Sequence, residues 1–275
     1  KELSLDMNEK MFSNKKAEFT LTGNTQPISF EKNLGSRSRW SLSGKKVGNM
    51  SYGVGVAFTD IKSKDGNKDN TRSDEMFQMM MPVGYETHGF EMISTPRLGY
   101  AYGHYTRDGY NGKDYDGKVE KRIFGVTNEV RYPVNIFGWK VSPTAEFNAI
   151  GYHIKGHEED KEFALSINKQ NIWSVEGGVG LSFAKEMEFG KEHSLKLGAS
   201  VMAYHEFADP YELELSMRGM DGSWKVRDEK RRDERLMVKN SFEYDFKPIS
   251  VYANLYSYID SEYRTKADIG FKYAF

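Results

Sequence analysis

The chain carries six histidines and no cysteine, so any reactive chemistry has to come from imidazole, hydroxyl and carboxylate groups. The missing cysteine removes disulfide frameworks, thiolate metal sites and cysteine nucleophiles together. His104 and His153 fall near the ends of alternating segments, where a Ser or Asp could approach either one. Geometry, not proximity in sequence, defines such a hydrolytic set, and ordinary rim residues are the plainer reading. The stretch DGNKDNTRSDEM, residues 65–76, places oxygen ligands at alternate positions as a calcium loop does. Asn70 stands where glycine is required and Met76 where the bidentate acid should be, so a solvated polar loop explains it better. GVGVAF and GGVGLSF are glycine-spaced, yet no helix follows a tight turn and they are not dinucleotide sites. Glycine there lets a strand bend or leaves room beside the backbone. WKVRDEKRRDER, residues 224–235, is the most charged run. It reads as a solvated loop, capped by a hairpin over 213–226, or as a surface contact, arginine being well suited to phosphate groups. None of these motifs calls for a cofactor or a metal.

The elements that carry these residues are strands. RTKADIGFKYAF, residues 264–275, puts Ile269, Phe271, Tyr273 and Phe275 on alternate positions with Lys266, Asp268 and Lys272 between them. Successive side chains of an extended chain point to opposite sides, so the two sets lie on opposite faces. The same alternation runs through 234–246, 194–207, 172–183, 139–153, 122–132, 92–105, 75–85 and 50–58. Weaker candidates are 36–44 and 17–23, and 250–259 is apolar on both faces, so its orientation is not legible. Together they make twelve strands.

Composition agrees: 17 Tyr, 17 Phe and 26 Gly accompany only 7 Pro, a profile of strands and turns. With 39 basic and 40 acidic residues the net charge is −1, which gives no electrostatic case for nucleic acid. No apolar run is long enough for a transmembrane helix. The negative mean hydropathy does not exclude a membrane, because a membrane barrel shows lipid only every second residue. The clear strands run about 10–15 residues, roughly twice the usual length and enough to cross a bilayer at a tilt of about 45°. Links at 45–49, 86–89, 133–138, 185–193 and 247–248 are short, and they alternate with long polar links at 60–74, 107–117, 154–171 and 208–233. Short turns on one side and long loops on the other mark an outer-membrane barrel. Aromatics near strand ends, such as Tyr132, Phe137 and Trp139, or Phe183 and Phe189, fit interfacial girdles. The reading is an all-β chain forming a 12-stranded antiparallel transmembrane β-barrel; the competing one is a soluble barrel or jelly roll whose aromatics fill a core. The N-terminus has no signal-peptide pattern, which suits a mature chain or the C-terminal piece of a longer one.

Four stretches carry a resemblance: WKVSPTAEF (139–147), EGGVGLSF (176–183), AYHEF (203–207) and the closing ANLYSYIDSEYRTKADIGFKYAF (253–275). Their order and spacing resemble the C-terminal translocator domain of type V secretion autotransporters, over about residues 75–275. The resemblance implies a barrel in the outer membrane of a Gram-negative, diderm bacterium that anchors an upstream passenger and exports it to the cell surface, with no enzymatic activity. It implies residues 1–16 as a linker or pore segment running through or under the pore, and residues 17–275 as the barrel. Phe275, Tyr273, Phe271 and Ile269 look like the membrane-assembly signal read by the barrel-assembly machinery. Outer-membrane lipid, lipopolysaccharide and the chain's own passenger are the other partners implied, the run 224–235 being the surface contact for the passenger or for lipopolysaccharide phosphates; nucleic acid is not one. Some members cut their passenger by cyclising an asparagine; Asn8 and Asn14 are available, but the pattern around that bond is missing.

A twelve-stranded wall lies between eight strands, which enclose only side chains, and sixteen, which leave an aqueous channel. Its lumen would admit one helix or an extended segment pair. Inward positions would include Arg97, Glu129, Arg131, Lys140, Glu146, Glu176, Lys196, Glu206, Arg235, Lys239, Glu243, Lys266, Asp268 and Lys272. Both signs are present, so the wall would hydrate and pair. A monomeric 12-stranded porin for oligosaccharide or anionic solutes is the alternative, and a surface protease or phospholipase a third class that lacks a compact motif.

Overall fold

The computed structural model describes residues 19–30, 33–44, 49–64, 71–108, 114–159, 164–190, 192–210, 212–218, 221–227, 233–260 and 263–274; before residue 49 it describes the backbone alone. Eighteen strand segments follow in chain order: β1 Phe19–Phe30, β2 Asn33–Gly44, β3 Met50–Lys64, β4 Thr71–Met80, β5 Val83–Thr87, β6 Phe90–Asp108, β7 Asp114–Arg131, β8 Val134–Ile136, β9 Trp139–Lys155, β10 His157–Glu158, β11 Leu165–Ile167, β12 Gln170–Glu188, β13 His193–Glu206, β14 Glu212–Met217, β15 Ser223–Arg227, β16 Glu234–Phe246, β17 Ile249–Ile259 and β18 Tyr263–Ala274. Among the described residues there is no helix.

Fourteen segments form one antiparallel sheet. Within it β5 continues β4 past Met81 and Pro82, and β8 continues β7 past Tyr132 and Pro133, which leaves twelve staves. Proline lacks the N–H a ladder needs, so each break falls where the chain would lose a bond. The neighbouring groups keep the wall joined: Gly53 N–H donates to Pro82 O at 2.9 Å, Met81 N–H to Pro96 O at 3.1 Å and Tyr132 N–H to Pro143 O at 3.1 Å. The ring closes because β1 pairs with β18 from Thr20↔Ala274 to Thr25↔Ile269 while β9 pairs with β12. Closure leaves no free edge, as a membrane wall requires. Two short turns use left-handed central residues, His88–Gly89 (φ 47° and 82°) and Phe137–Gly138 (φ 49° and 77°). This is the hairpin geometry that matches strand twist, and the second position favours glycine.

Polarity in this ring is inverted relative to a soluble protein. The enclosed row holds Arg97, Glu129, Glu146, Glu176, Glu206, Lys239, Asp268 and Lys272, all buried, whereas Phe58, Phe77, Leu98, Leu181, Val201, Phe242, Leu255 and Ile269 face outward and stay exposed. Val179 is 65 % exposed and Phe137 99 %. An exposed apolar belt on this scale is a surface for lipid, not water, and the soluble barrel with an aromatic core is thereby overturned. Aromatic pairs sit on the belt, with Phe90 and Tyr132 rings 4.8 Å apart at the short-turn end and Phe124 edge-on to Trp173 at 5.0 Å.

Several expected boundaries are corrected. The supposed links at 60–74 and 107–117 shrink to 65–70 and 109–113, because β3, β4, β6 and β7 keep pairing through polar residues beyond the apolar belt. Thr71–Met76, read as part of a calcium-like loop, is strand β4; residues 65–70 lie outside the described residues. The turn expected at 185–193 is only 189–192. Lys185–Glu188 look like a charged turn in sequence, but Lys185 pairs with Leu197 and Glu188 with Ser194 in the ladder. Candidates 17–23 and 36–44 become β1 and β2, each 12 residues long.

The two longest links are not featureless. β10, β11, β14 and β15 form a separate four-stranded sheet, His157↔Ile167, Leu165↔Met217 and Glu212↔Arg227 being among its pairs. The hairpin expected over 213–226 is part of it. This sheet stands at the long-link end and ties the link after β9 to the link after β13.

Candidate functional site

Period-two alternation, carried round the closed ring, delivers the inward charges as two clusters and a row of tyrosines. The first cluster spans β6, β7, β9, β12, β13 and β16. Glu129 lies directly opposite Glu146 in the ladder, and Glu176 directly opposite Glu206. Like charges in such pairs repel by about 0.2–1 kcal/mol. Each acid is therefore given its own donor. Glu129 pairs with Arg131 at 2.7 Å and Glu176 with Arg235 at 2.8 Å. Glu206 accepts from Ser174 Oγ and from the Val175 N–H, both at 2.6 Å. Glu146 accepts from Asn148 Nδ2 and, at 3.2 Å, from the Tyr204 hydroxyl. Arg97, buried, donates to Thr127 Oγ1. Glu91 was missed by the sequence reading; it takes Lys140 at 2.8 Å and lies 3.9 Å from Arg131. Its odd position on β6 was the available signal.

The second cluster lies nearer the short-turn end. Lys196 reaches Asp245 at 2.7 Å, Glu243 at 3.6 Å and Glu186 at 3.7 Å. Lys272 completes it, 2.5 Å from Glu243. Between the clusters β17 turns Tyr252, Tyr256 and Tyr258 inward, all buried. Their rings accept cations: Lys272 stands 5.9 Å from Tyr252, Lys239 5.2 Å from Tyr256, and Lys266 and Arg235 5.4 and 5.6 Å from Tyr258. Contacts of this kind contribute about 0.5–2 kcal/mol, more where water is thin. Asp268 is fully buried and accepts from Asn254 at 3.4 Å. Of the fourteen positions expected to point inward, Arg97, Glu129, Glu146, Glu176, Glu206, Lys239, Asp268 and Lys272 are buried. Of the four residues expected to signal assembly, Ile269, Phe271 and Tyr273 share the outward face of β18 and are exposed; Phe275 lies outside the described residues, as do Asn8, Asn14 and the whole of 1–16.

Hydrolytic geometry does not assemble around the two histidines singled out. His153 Nδ1 is 2.7 Å from Asn171 Oδ1, and His104 is exposed on the outward side of β6. Among the described residues no group of three or more His, Asp or Glu side chains comes together to hold a metal ion.

The outer sheet is fastened to this wall by polar bonds. Gln170, at the outer end of β12, accepts from Glu214 N–H at 3.1 Å and donates to Glu214 O at 3.3 Å. The Glu214 carboxylate accepts from Ser223 Oγ at 2.5 Å and from Asn168 Nδ2 at 3.1 Å, bonds that hold its pKa below the ordinary glutamate value. A depressed folded pKa gives a contribution that is present above the unfolded value of about 4.3 and lost as pH falls through the folded one. Amide protection in β14, measured by hydrogen exchange and corrected for intrinsic rates, should therefore hold from pH 7 to about 5 and fall below about 4. Glu214→Gln should flatten that profile; a wild-type profile that is already flat would count against these bonds.

A closed ring of twelve strands, apolar outside and charged within, defines a β-barrel of the outer membrane. The family profile described as Autotransporter beta-domain matches residues 42–255, and the chain belongs to that family. It is an outer-membrane translocator domain that exports a passenger from a Gram-negative cell. Among solved structures it is similar to the translocator domain of the autotransporter NalP from Neisseria meningitidis, with TM-score 0.75 and 10% identity over 100% of this chain and 95% of that one. It is also similar to the β domain of the Bordetella autotransporter BrkA, with TM-score 0.61 and 13% identity over 94% and 98% of the two chains. The transport unit of AIDA-I from Escherichia coli aligns with TM-score 0.53 and 11% identity over 98% and 97%. No curated protein matches by sequence.

Proposed function

We propose that the inner wall works as a hydrated, self-paired sleeve. It lets an unfolded passenger segment slide past without holding it. The observation that carries this is the pairing of nearly every enclosed carboxylate with a donor of its own wall, as in Glu176 with Arg235 and Glu243 with Lys272. A charge already paired in a low-dielectric wall gains little by exchanging partners with a passing segment. Residues 1–16 are the linker that occupies the pore at rest, and residues 17–275 the barrel. Arg97, Glu129, Arg131, Glu146, Glu176, Lys196, Glu206, Arg235, Glu243, Asp268 and Lys272 line the lumen.

The outward row of the last strand, Ile269, Phe271 and Tyr273 with Phe275 after it, is the signal for the barrel-assembly machinery. Outer-membrane lipid and lipopolysaccharide cover the apolar belt and its rim. The role is mechanical and not enzymatic. Single-channel conductance of the purified chain with and without residues 1–16 tests the assignment. Deletion should raise the conductance severalfold. An unchanged trace would remove the plug and favour a porin.

A further inference from the structure

At the long-link end the inward tips of β4, β6, β7 and β9 meet the underside of the outer sheet around a cavity of about 170 Å³. Its floor and walls include Arg72, Asp74, Val119, Lys121 and Ile154, and its roof is Ile167 of β11 and Leu213 of β14. The translocator reading gives this space no task.

Two features of the cavity point to a ligand class. The charges do not balance within it. Asp74 is taken by Arg72, whose Nε lies 2.6 Å from its Oδ2. The Lys121 ammonium has no hydrogen-bond or ion-pair partner among the described residues; it senses Asp74 and Arg72 only at longer range. Two cations and one carboxylate leave an excess positive charge on a half-enclosed, largely apolar wall. A partly enclosed cation with no acceptor among the described residues is costly, and an entering anion offsets that cost. The second feature is the apolar remainder: Val119, Ile154, Ile167 and Leu213 surround a volume close to the roughly 150 Å³ that accommodates benzene in an apolar protein cavity. Inorganic phosphate would satisfy Lys121 but would lose its hydration against these side chains.

We infer that the cavity binds a small free monocarboxylate with an apolar body of about six carbons, the size of benzoate, its carboxylate on Lys121 and its body under Ile167 and Leu213. Because Ile167 and Leu213 belong to the outer sheet while Lys121 belongs to the barrel, such a ligand also fastens the sheet to the mouth.

The test is 19F NMR of 4-fluorobenzoate with the full chain in detergent micelles. Saturable broadening that unlabelled benzoate reverses is expected, with 4-fluorobenzyl alcohol binding at least roughly tenfold more weakly for want of the charge-assisted bond. Lys121→Met should weaken 4-fluorobenzoate by a similar factor. Leu213→Trp, which fills the roof from outside the barrel ring, should abolish saturable binding while leaving the heat-modifiable gel mobility of a folded barrel intact. Micelle partition without saturation, equal binding of the alcohol, or undiminished binding in folded Leu213→Trp would each overturn the assignment.

Discussion

Gly180→Val is expected to yield almost no folded barrel. Gly180 sits on the inward row of β12, paired with Met202 on one side and Thr144 on the other. A Cβ at this position would lie 2.1 Å from the carbonyl oxygen of Val201 and 2.9 Å from the Met202 Cα. Both are backbone atoms held in the β12–β13 ladder, so the clash is not relieved by a rotamer change. Forcing the strands apart breaks paired N–H and C=O groups in a wall that has no water on its outer side to replace them. Overpacking in an ordinary core costs about 1–3 kcal/mol; here the cost should exceed the upper end, because ladder bonds are lost as well. Gly178→Ala is the control. Its Cβ meets the Tyr204 ring at 2.4 Å, and a side chain is the softer obstacle. The folded fraction after refolding into detergent, read from heat-modifiable gel mobility, should be near zero for Gly180→Val and substantial for Gly178→Ala. Equal yields would mean that the approach of β12 to β13 is not tight.

The alternation of the chain made most of the ring legible, and the places where it failed share a physical cause. A period-two count sees tyrosine as apolar. At 250–259 the inward Tyr252, Tyr256 and Tyr258 therefore cancelled the pattern that Val251, Leu255 and Ile259 make on the other face. Only the nearby Lys239, Lys266 and Lys272 disclose why tyrosine suits an enclosed polar face. β1 was truncated in the sequence reading because Asn24, Gln26 and Pro27 interrupt the alternation. Pairing to β18 ends at Thr25, so Pro27 lies beyond it, where a missing N–H removes no bond on that side.

Parity alone predicts a face for each wall charge. It does not predict their pairing: Arg235 with Glu176 is separated by 59 residues. Register between distant strands, not composition, sets that distance. Similarly, Leu165–Ile167 is only 3 residues long, too short to show a period, and its partner β14 lies in another link. The outer sheet was for that reason invisible as a sheet, although half of it, the hairpin over 213–226, could be read locally.

That outer sheet is also where a single substitution should have the largest local effect. Arg107, at the outer end of β6, forms a two-pronged pair with Glu159: Nε donates to Oε1 at 2.8 Å and Nη2 to Oε2 at 2.6 Å. Glu159 is fully buried, sits between β10 and β11, and also accepts the Leu165 N–H at 2.8 Å. Arg107 in turn lies over the Tyr115 ring at 4.3 Å. Removing one partner of a fully buried pair costs about 3–5 kcal/mol, because the other charge is left without compensation. Partial exposure of Arg107 (28 % of its side chain) moves the expectation toward the lower figure. The barrel ladder does not depend on this pair, since Arg107 is near the end of the β6–β7 register. The energy should therefore appear as release of the link after β9, not as unfolding of the ring. In Arg107→Ala, cleavage by a lysine-specific protease after Lys155 and Lys169 should run at least roughly tenfold faster than in the parent chain, at unchanged heat-modifiable mobility. Arg107→Lys should restore little, since a point charge cannot reproduce the fork. Arg107→Ala combined with Glu159→Gln should recover part of the protection, because a neutral amide is less costly to bury than an unpaired carboxylate. Cleavage at the parental rate in Arg107→Ala would show that the strand pairs of the outer sheet hold it in place without the clasp.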